Sequence, residues 1–382
     1  MPRGWRAGVS RKPDTIYVAF AGLRSPWGVE GGVEAHVAAL APRLVKRGAH
    51  VTVYCRERYN PHGNCYREGV RLADVPTIYS RSAEALVHSA LVTPRACLRH
   101  DIVHLHACGA AMFAPLPRWL GRRSVLTLHG RDWARDKWGR AAQTVLQASA
   151  RVGVRAADAV ISVAEELAPW CREGGARQVE VIPNGVEPHV SVPWDPTIFP
   201  MLEPWKYFLF LGRLVPEKGL STLVAAANLA GGSMPVVITG GSAYTSAFVA
   251  DLRRTATERR VVFTGAQFGL EKRMLLSHAR AFVFPSRVEG LPVALLEAMA
   301  AGLPLLVSDI PPNDEVHAGR AWRRLPVDDV AAWARALEEA ERAPVEELRR
   351  VGEFGRVRAE ADFGWDRIAD RTFDLYSRVV GR

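Results

Sequence analysis

Short uninterrupted apolar runs recur along this chain, separated by longer stretches in which apolar positions return every three or four residues, with Gly- or Pro-bearing turns between them. Runs of the first kind fit strands buried on both faces, and stretches of the second kind fit amphipathic helices. Thr15 to Ala21 reads as the first strand and Gly28 to Gly32 as a glycine-rich loop leading into a helix through Leu44 to Arg47; Val51 to Tyr54 is the next strand. Asp101 to His106, Arg123 to Leu128, Asp158 to Val163 and Val179 to Ile182 continue the strand series, with a long helix over Asp136 to Ala156. After a connector rich in Pro and Trp, Tyr207 to Leu211, Val236 to Thr239, Ala281 to Phe284 and Leu303 to Ser308 take it up again. Strand, loop and helix in this order predict an α/β chain of two Rossmann-like, doubly wound domains. They are placed at residues 1–190 and 206–364, with a linker at 191–205, and residues 365–382 carry a terminal helix, Trp365 to Val380.

One unit carries the chemistry. From Phe284 to Asp309 the chain reads FPSRVEGLPVALLEAMAAGLPLLVSD, a strand end, a turn containing Glu289-Gly290, a helix of strong formers and another strand. Pro292 suits the first helical position and Gly302 the stop. Glu289 then lies on the loop and Glu297 about one turn inside the helix. In an open parallel sheet, ligands bind outside the carboxyl ends of the strands. A helix start there favours an anion such as a diphosphate, and a carboxylate one turn on can accept hydrogen bonds from a vicinal diol. Diphosphate plus diol describes a nucleotide-sugar. Taken alone, two glutamates at a helical spacing are also ordinary solvated charges.

Composition narrows the class. At 382 residues, 48% apolar and 24% charged, the chain has the make-up of a soluble protein of two domains. Its five cysteines are odd in number and form no Cys-x-x-Cys pair, which fits a reducing cytosol better than a disulfide framework. Met1 to Lys12 is basic but no apolar core follows, so it reads as a basic tail and not as a secretory signal. Gly219 to Ala250 contains no charged residue, but Asn228, Gly231, Gly232, Pro235, Gly240 and Gly241 break it into a helix, a turn and a strand too short to span a bilayer. The net charge of +10 lies wholly in residues 1–190, which hold 26 Lys and Arg against 16 Asp and Glu. Such a half-molecule suits an anionic partner, an acidic membrane, a phosphorylated acceptor or nucleic acid, although an Arg-rich proteome would give the same balance. Basic residues without interleaved aromatics argue against a nucleic-acid-binding protein.

The spacing Glu289 to Glu297 resembles the Glu-x7-Glu signature of the retaining glycosyltransferases of family 4. The resemblance extends to Gly212-Arg213-Leu214-Val215-Pro216-Glu217-Lys218-Gly219, to Ile182-Pro183-Asn184-Gly185-Val186 and to Gly31-Gly32-Val33-Glu34, and so spans nearly the whole chain. Thr127-Leu128-His129-Gly130-Arg131-Asp132-Trp133, with Lys137-Trp138-Gly139, is further similar to a subgroup that includes rhamnosyltransferases of bacterial surface polysaccharides.

This resemblance implies the GT-B fold, two domains facing across a cleft with the C-terminal helix crossing back to the first. It implies a donor site formed by Gly31, Gly32, Arg213, Lys218, Gly265, Gln267, Glu289, Gly290, Leu291 and Glu297. His129 would face the sugar's reacting carbon, and Asp132 and His106 would lie on the acceptor side. Glu289, His129, Arg213 and Lys218 would carry the reaction. Arg213 and Lys218 suit a diphosphate, the first gripping oxygens bidentately, the second as a mobile point charge. No essential metal or cofactor is implied; the pair His104 and His106 lacks further ligands for a metal site. The expected partners are a nucleotide-sugar donor, a glycan or lipid-pyrophosphate-linked acceptor and an anionic membrane surface, with no nucleic acid, in a cytoplasmic protein peripheral to the inner face of the plasma membrane. Sugar-nucleotide epimerases share the architecture, but Arg213, Lys218, Glu289 and Glu297 together argue against them. The absence of GxGxxG weighs against an NAD dehydrogenase.

Overall fold

The computed structural model describes residues 15–28, 31–80, 84–131, 133, 139–241 and 246–382. Residues 1–14 with their basic tail, Asp132, and Lys137-Trp138 lie outside the described residues. Two sheets form. The first contains β1 (Tyr17–Ala21), β2 (His50–Arg56), β3 (Tyr66–Arg67), β4 (Val70–Val75), β5 (Ile102–His106), β6 (Arg123–Leu128), β7 (Ala159–Ser162) and β8 (Val179–Val181). The second contains β9 (Phe208–Leu211), β10 (Val236–Thr239), β11 (Val261–Gly265), β12 (Ala281–Phe284), β13 (Leu305–Ser308) and β14 (Arg323–Leu325).

Their orders, β3-β4-β2-β1-β5-β6-β7-β8 and β11-β10-β9-β12-β13-β14, both turn outward in two directions from a central pair, β1/β5 and β9/β12. Every pairing is parallel except β3 with β4. Parallel strands need helices on both faces, which is why β1, β9, β12 and β13 are buried along their whole length. Two doubly wound Rossmann-like domains form, as the alternation of apolar runs predicts, and their strand ends converge on one cleft, the GT-B arrangement that the resemblance implies.

The chain crosses between domains twice, and the crossings touch. Val186 N–H donates to the carbonyl of Phe363 at 2.7 Å, and Val186 pairs with Gly364 as an isolated parallel bridge. The helix Trp365–Val380 then lies on the first domain. Its buried residues Trp365, Ile368, Ala369, Thr372, Leu375 and Tyr376 fall at three- and four-residue intervals, and its apolar members join the core around β1 and β2. Arg47 Nε pairs with Asp370 at 2.6 Å on its flank. A Cβ on Gly185 would stand 2.3 Å from the Trp365 ring, so this helix can seat only over glycine.

At the opposite edge of the first sheet, away from the cleft, the strands begin. Asp101 N–H bonds the carbonyl of Tyr17 at 2.8 Å, and Arg122 Nε reaches the carbonyl of Cys97 at 2.9 Å. The latter bond ties the end of the helix Glu84–Cys97 to the turn after the helix Pro115–Trp119. Trp119 is 79% and Leu98 77% exposed there, beside Leu120 and the exposed Arg95, Arg99 and Arg118. Asp101 is the only acid between Leu91 and Arg123.

Candidate active site in the cleft

Behind β12, the loop carrying Glu289 is braced by the loop after β9. Gly219 has φ +67, and a Cβ on it would stand 2.0 Å from the carbonyl oxygen of Pro285; conformation and space both require glycine. Arg287 N–H donates to the carbonyl of Glu217 at 2.9 Å. The two loops thereby bring Lys218 Nζ onto Glu289 Oε1, with both side chains largely buried and the ammonium 5.0 Å from the centre of the Phe284 ring. Arg213, at the end of β9, is exposed. The helix Val293–Ala300 starts one residue later than the sequence suggests, with Pro292 as its N-cap, and stops at Gly302 in the left-handed region with φ +69. Glu297 in that helix pairs with Lys272 at 2.6 Å. Gly265 ends β11, and the side-chain amide of Gln267 donates to the carbonyl of Thr264 at 2.8 Å.

The first domain meets this loop directly. His129 and Gly130 follow β6, and a Cβ on Gly290 would lie 2.1 Å from the His129 carbonyl oxygen and 3.1 Å from Gly130 Cα. The space bounded by Gly130, Arg131, Val163, Ala164, Glu166, Leu167, Glu289 and Gly290 is about 10 Å³, room for about one water. Two contacts hold the domains together around it, and a third lies on the first-domain side alone. Asn184 Nδ2 donates to the carbonyl of Leu291 at 2.8 Å, Glu315 accepts from the Glu165 amide at 2.8 Å, and Arg131 pairs with Glu166 at 3.1 Å on the first-domain side. Burial among the like charges of Glu165 and Glu166 raises the Glu315 carboxyl to about 7, although the two backbone amides oppose the shift.

Beneath His129 lies a layer of histidines. His104 bonds Tyr376 Oη through Nδ1 at 2.5 Å and Thr127 Oγ1 through Nε2 at 2.6 Å. His106 Nδ1 meets His129 Nε2 at 3.0 Å, and His36 Nδ1 meets Asn184 Oδ1 at 3.0 Å. Burial lowers His36 to about 4, partly offset by its bond to Asn184, and holds His104 and His106 well below the ordinary histidine range. These rings are neutral at physiological pH. His106 is wholly buried, so it cannot meet an acceptor as expected from its place at a strand end; it reaches the cleft only through His129.

Gly31 and Gly32 open the helix Gly32–Lys46, and there the chain supplies its own anion. Glu34 Oε2 would lie 1.9 Å from a Cβ on Gly31, and Oε1 is 3.3 Å from the Arg24 amide. A diphosphate approaching these amides has to displace that carboxylate or bind beside it. Lys272, Asn184 and His36 carry no role in the sequence reading. Lys272 is one charge among Glu271, Lys272 and Arg273, and only its ion pair with Glu297 across the fold distinguishes it from its neighbours.

Known proteins decide the class. The family described as Glycosyltransferase Family 4 matches residues 30–190, and the one described as Glycosyl transferases group 1 matches residues 205–341. The chain is a GT-B glycosyltransferase. The glycosyltransferase is 29% identical to alpha-maltose-1-phosphate synthase of Mycobacterium tuberculosis, covering 95% of this chain and 99% of that one. It is 28% identical to a GDP-mannose:cellobiosyl-diphosphopolyprenol alpha-mannosyltransferase of Xanthomonas oryzae pv. oryzae, over 74% of this chain and 75% of that one. Among solved structures it is similar to sucrose-phosphate synthase of Thermosynechococcus elongatus, with TM-score 0.79 and 21% identity over 96% of this chain and 99% of that one. It is also similar to Anabaena Alr3699/HepE in complex with UDP and glucose, with TM-score 0.77 and 16% identity over 95% of this chain and 100% of that one. At these identities the structural likeness concerns the fold.

Proposed function

We propose that the glycosyltransferase moves a hexosyl or deoxyhexosyl unit from a nucleotide-sugar to a glycan or lipid-linked oligosaccharide, with retention at the anomeric carbon, in the synthesis of a surface polysaccharide. The observation that carries this reading is the buried pair Lys218–Glu289, set against the His129–Gly130 backbone across the cleft. Cleavage of the sugar–diphosphate bond puts positive charge on the anomeric carbon and negative charge on the leaving oxygen. In the transition state Lys218 and Arg213 meet the leaving diphosphate. Glu289, released from Lys218, holds the sugar and offsets its positive charge. Glu297 takes the ribose diol, with Lys272 steadying its carboxylate, and His129 orients the sugar from the first domain. Gly265, Gln267, Gly290 and Leu291 line the donor. Uridine diphosphate in the HepE complex and GDP-mannose in the name of the Xanthomonas relative support a nucleotide-sugar donor.

Side chains neutralise the diphosphate in this scheme, and the chain has no Asp-x-Asp motif, so transfer is metal-independent. The experiment is a donor screen over UDP-, GDP- and dTDP-sugars, with and without EDTA, and NMR of the product's anomeric proton. Retention and full activity in EDTA are expected. Inversion, or loss with EDTA restored by Mg²⁺ or Mn²⁺, overturns the site assignment.

Among the described residues no helix is long and apolar enough to cross a membrane. An acceptor anchored in lipid is then met from the surface. The edge of the first domain bearing Trp119, Leu98 and Leu120 among Arg95, Arg99 and Arg118 supports docking on an anionic bilayer, since exposed Trp suits the headgroup boundary and the arginines an anionic leaflet. Docked by that edge, the enzyme holds its cleft away from the bilayer by at least the length of β5, roughly 17 Å. The acceptor's reacting end must extend that far.

A further inference from the structure

His106 is buried with no exposed atom, and the molecule gives it one polar contact where its ring could make two. Its Nδ1 is 3.0 Å from His129 Nε2, while its Nε2 is buried without a hydrogen-bond partner. The ring cannot turn to find one. It stacks on Phe20 at 5.2 Å between centroids, lies 4.2 Å from the His104 ring, and stacks on His129 at 5.3 Å. His104 has nothing to offer it, because both its nitrogens are engaged by Tyr376 and Thr127.

One proton lies between the facing nitrogens of His106 and His129. If His129 Nε2 were the donor, the His106 proton would sit on Nε2, an N–H buried with no acceptor. If His106 Nδ1 is the donor, what is left bare is a lone pair, and bare buried acceptors are tolerated better than bare buried N–H groups. We infer that His106 is a positioning residue that donates to His129 Nε2 and so fixes the His129 proton on Nδ1. His129 then cannot serve as a proton acceptor through Nε2, and it works in the cleft as an oriented N–H donor of one tautomer. His36 obeys the same logic one contact away: Asn184 Nδ2 donates to Leu291, so Asn184 Oδ1 must accept from His36 Nδ1–H. Both histidines bordering the domain seam thus carry their protons on Nδ1.

This inference rests on the role given to His129 only for its catalytic consequence; the tautomer is tested apart from activity. Long-range ¹H–¹⁵N correlation spectra of the full-length protein labelled with ¹⁵N-histidine should show His129 protonated at Nδ1 and bare at Nε2. In His106→Phe, which keeps a stacked ring and removes the donor, Nε2-protonated His129 should appear, and kcat should fall about 10- to 100-fold with the donor KM within about twofold. His106→Asn returns an amide N–H near the position of Nδ1 and should restore kcat to within about threefold. A wild-type His129 protonated at Nε2 overturns the inference, and that spectrum needs no variant to fold. A His129 tautomer unchanged in His106→Phe also overturns it. If the tautomers are as expected but His129→Ala keeps wild-type kcat, the pair stands and the role of His129 in transfer falls.

Discussion

The His129 carbonyl oxygen occupies the place where a side chain on Gly290 would begin, 2.1 Å from an ideal Cβ. Backbone meets backbone there, so no side-chain rotation relieves a methyl group. In Gly290→Ala the loop and His129 must part by about 1 Å, enough to cost on the order of 100-fold in kcat/KM. Thermal unfolding should change little, because the domains can separate locally. A variant with wild-type kcat/KM would mean that this contact is not part of the reacting arrangement.

Lys218 and Glu289 are each other's counter-charge in a largely buried setting. Lys218→Ala leaves the carboxylate buried alone and should cost about 3 kcal/mol of stability, whereas Lys218→Met with Glu289→Gln should recover most of it. Turnover should fall in both Lys218→Ala and Arg213→Ala, because the charge they meet is greatest at the transition state. Denaturant titration and steady-state kinetics separate the two effects. An effect confined to KM removes either cation from leaving-group stabilisation.

Glu297→Ala should weaken nucleotide binding by about 1.5–3 kcal/mol, one to two decades in Kd, through lost ribose hydrogen bonds. Lys272→Ala should weaken it less and leave stability nearly unchanged, since a partly exposed pair contributes little to folding. Isothermal titration with nucleoside diphosphates measures both, and an unchanged Kd in Glu297→Ala takes that residue out of the site.

Glu315 and the histidine layer respond to pH in opposite directions. Burial raises Glu315 from 4.5 to about 7, so between those values the folded protein holds a proton that the unfolded chain has lost; this contribution to stability falls as pH rises to 7. His36, His88, His104 and His106 are lowered by burial, so the unfolded chain takes up protons below 6.5 and their contribution falls on acidification. His50, His189 and His317 are lowered by burial in the same sense and Asp74 is raised like Glu315, so seven histidines against two carboxyls decide the sign, and Tm should drop from pH 7 to pH 5. Glu315→Gln should be more stable than wild type at pH 8 and equal to it near pH 5. No gain at pH 8 would show that Glu315 is not strained across the domain seam.

The full-length enzyme should bind vesicles containing phosphatidylglycerol at low salt and release them as salt rises, with weak binding to phosphatidylcholine alone. About 1 kcal/mol per cation near an anionic leaflet makes Arg95, Arg99 and Arg118 sufficient for reversible docking. Trp119→Ala should reduce binding without altering transfer to a soluble acceptor. Equal partitioning onto both vesicle types, or none at low salt, refutes the membrane surface; displacement by duplex DNA at physiological salt would point to nucleic acid instead.

Alternation of apolar runs made the architecture legible, because parallel strands buried on two faces leave an unmistakable pattern; Arg123–Leu128, Ala281–Phe284 and Trp365–Val380 have the limits their sequences suggest. The short antiparallel β3 and the helix Glu84–Cys97 were not foreseen, the first being only two residues long and the second interrupted by Pro94. Within the site, Lys218 and Glu289 were legible as motif residues, but their mutual pairing was not, since it joins positions 71 apart. His106 shows the limit most clearly. Its place at a strand end predicts a cleft-lining group, but the rings of Phe20, His36, His104 and His129 enclose it.

That helix also sets an order of events during synthesis. The second domain is complete once Phe363 has emerged, but the first lacks the Trp365, Ile368, Leu375 and Tyr376 side chains of its own core until the helix Trp365–Val380 follows. A chain that has emerged only through Phe363 therefore holds a finished second domain attached to an unfinished first one, with the apolar face over β1 and β2 open to solvent. Although the first domain leads in the sequence, it is the last to close.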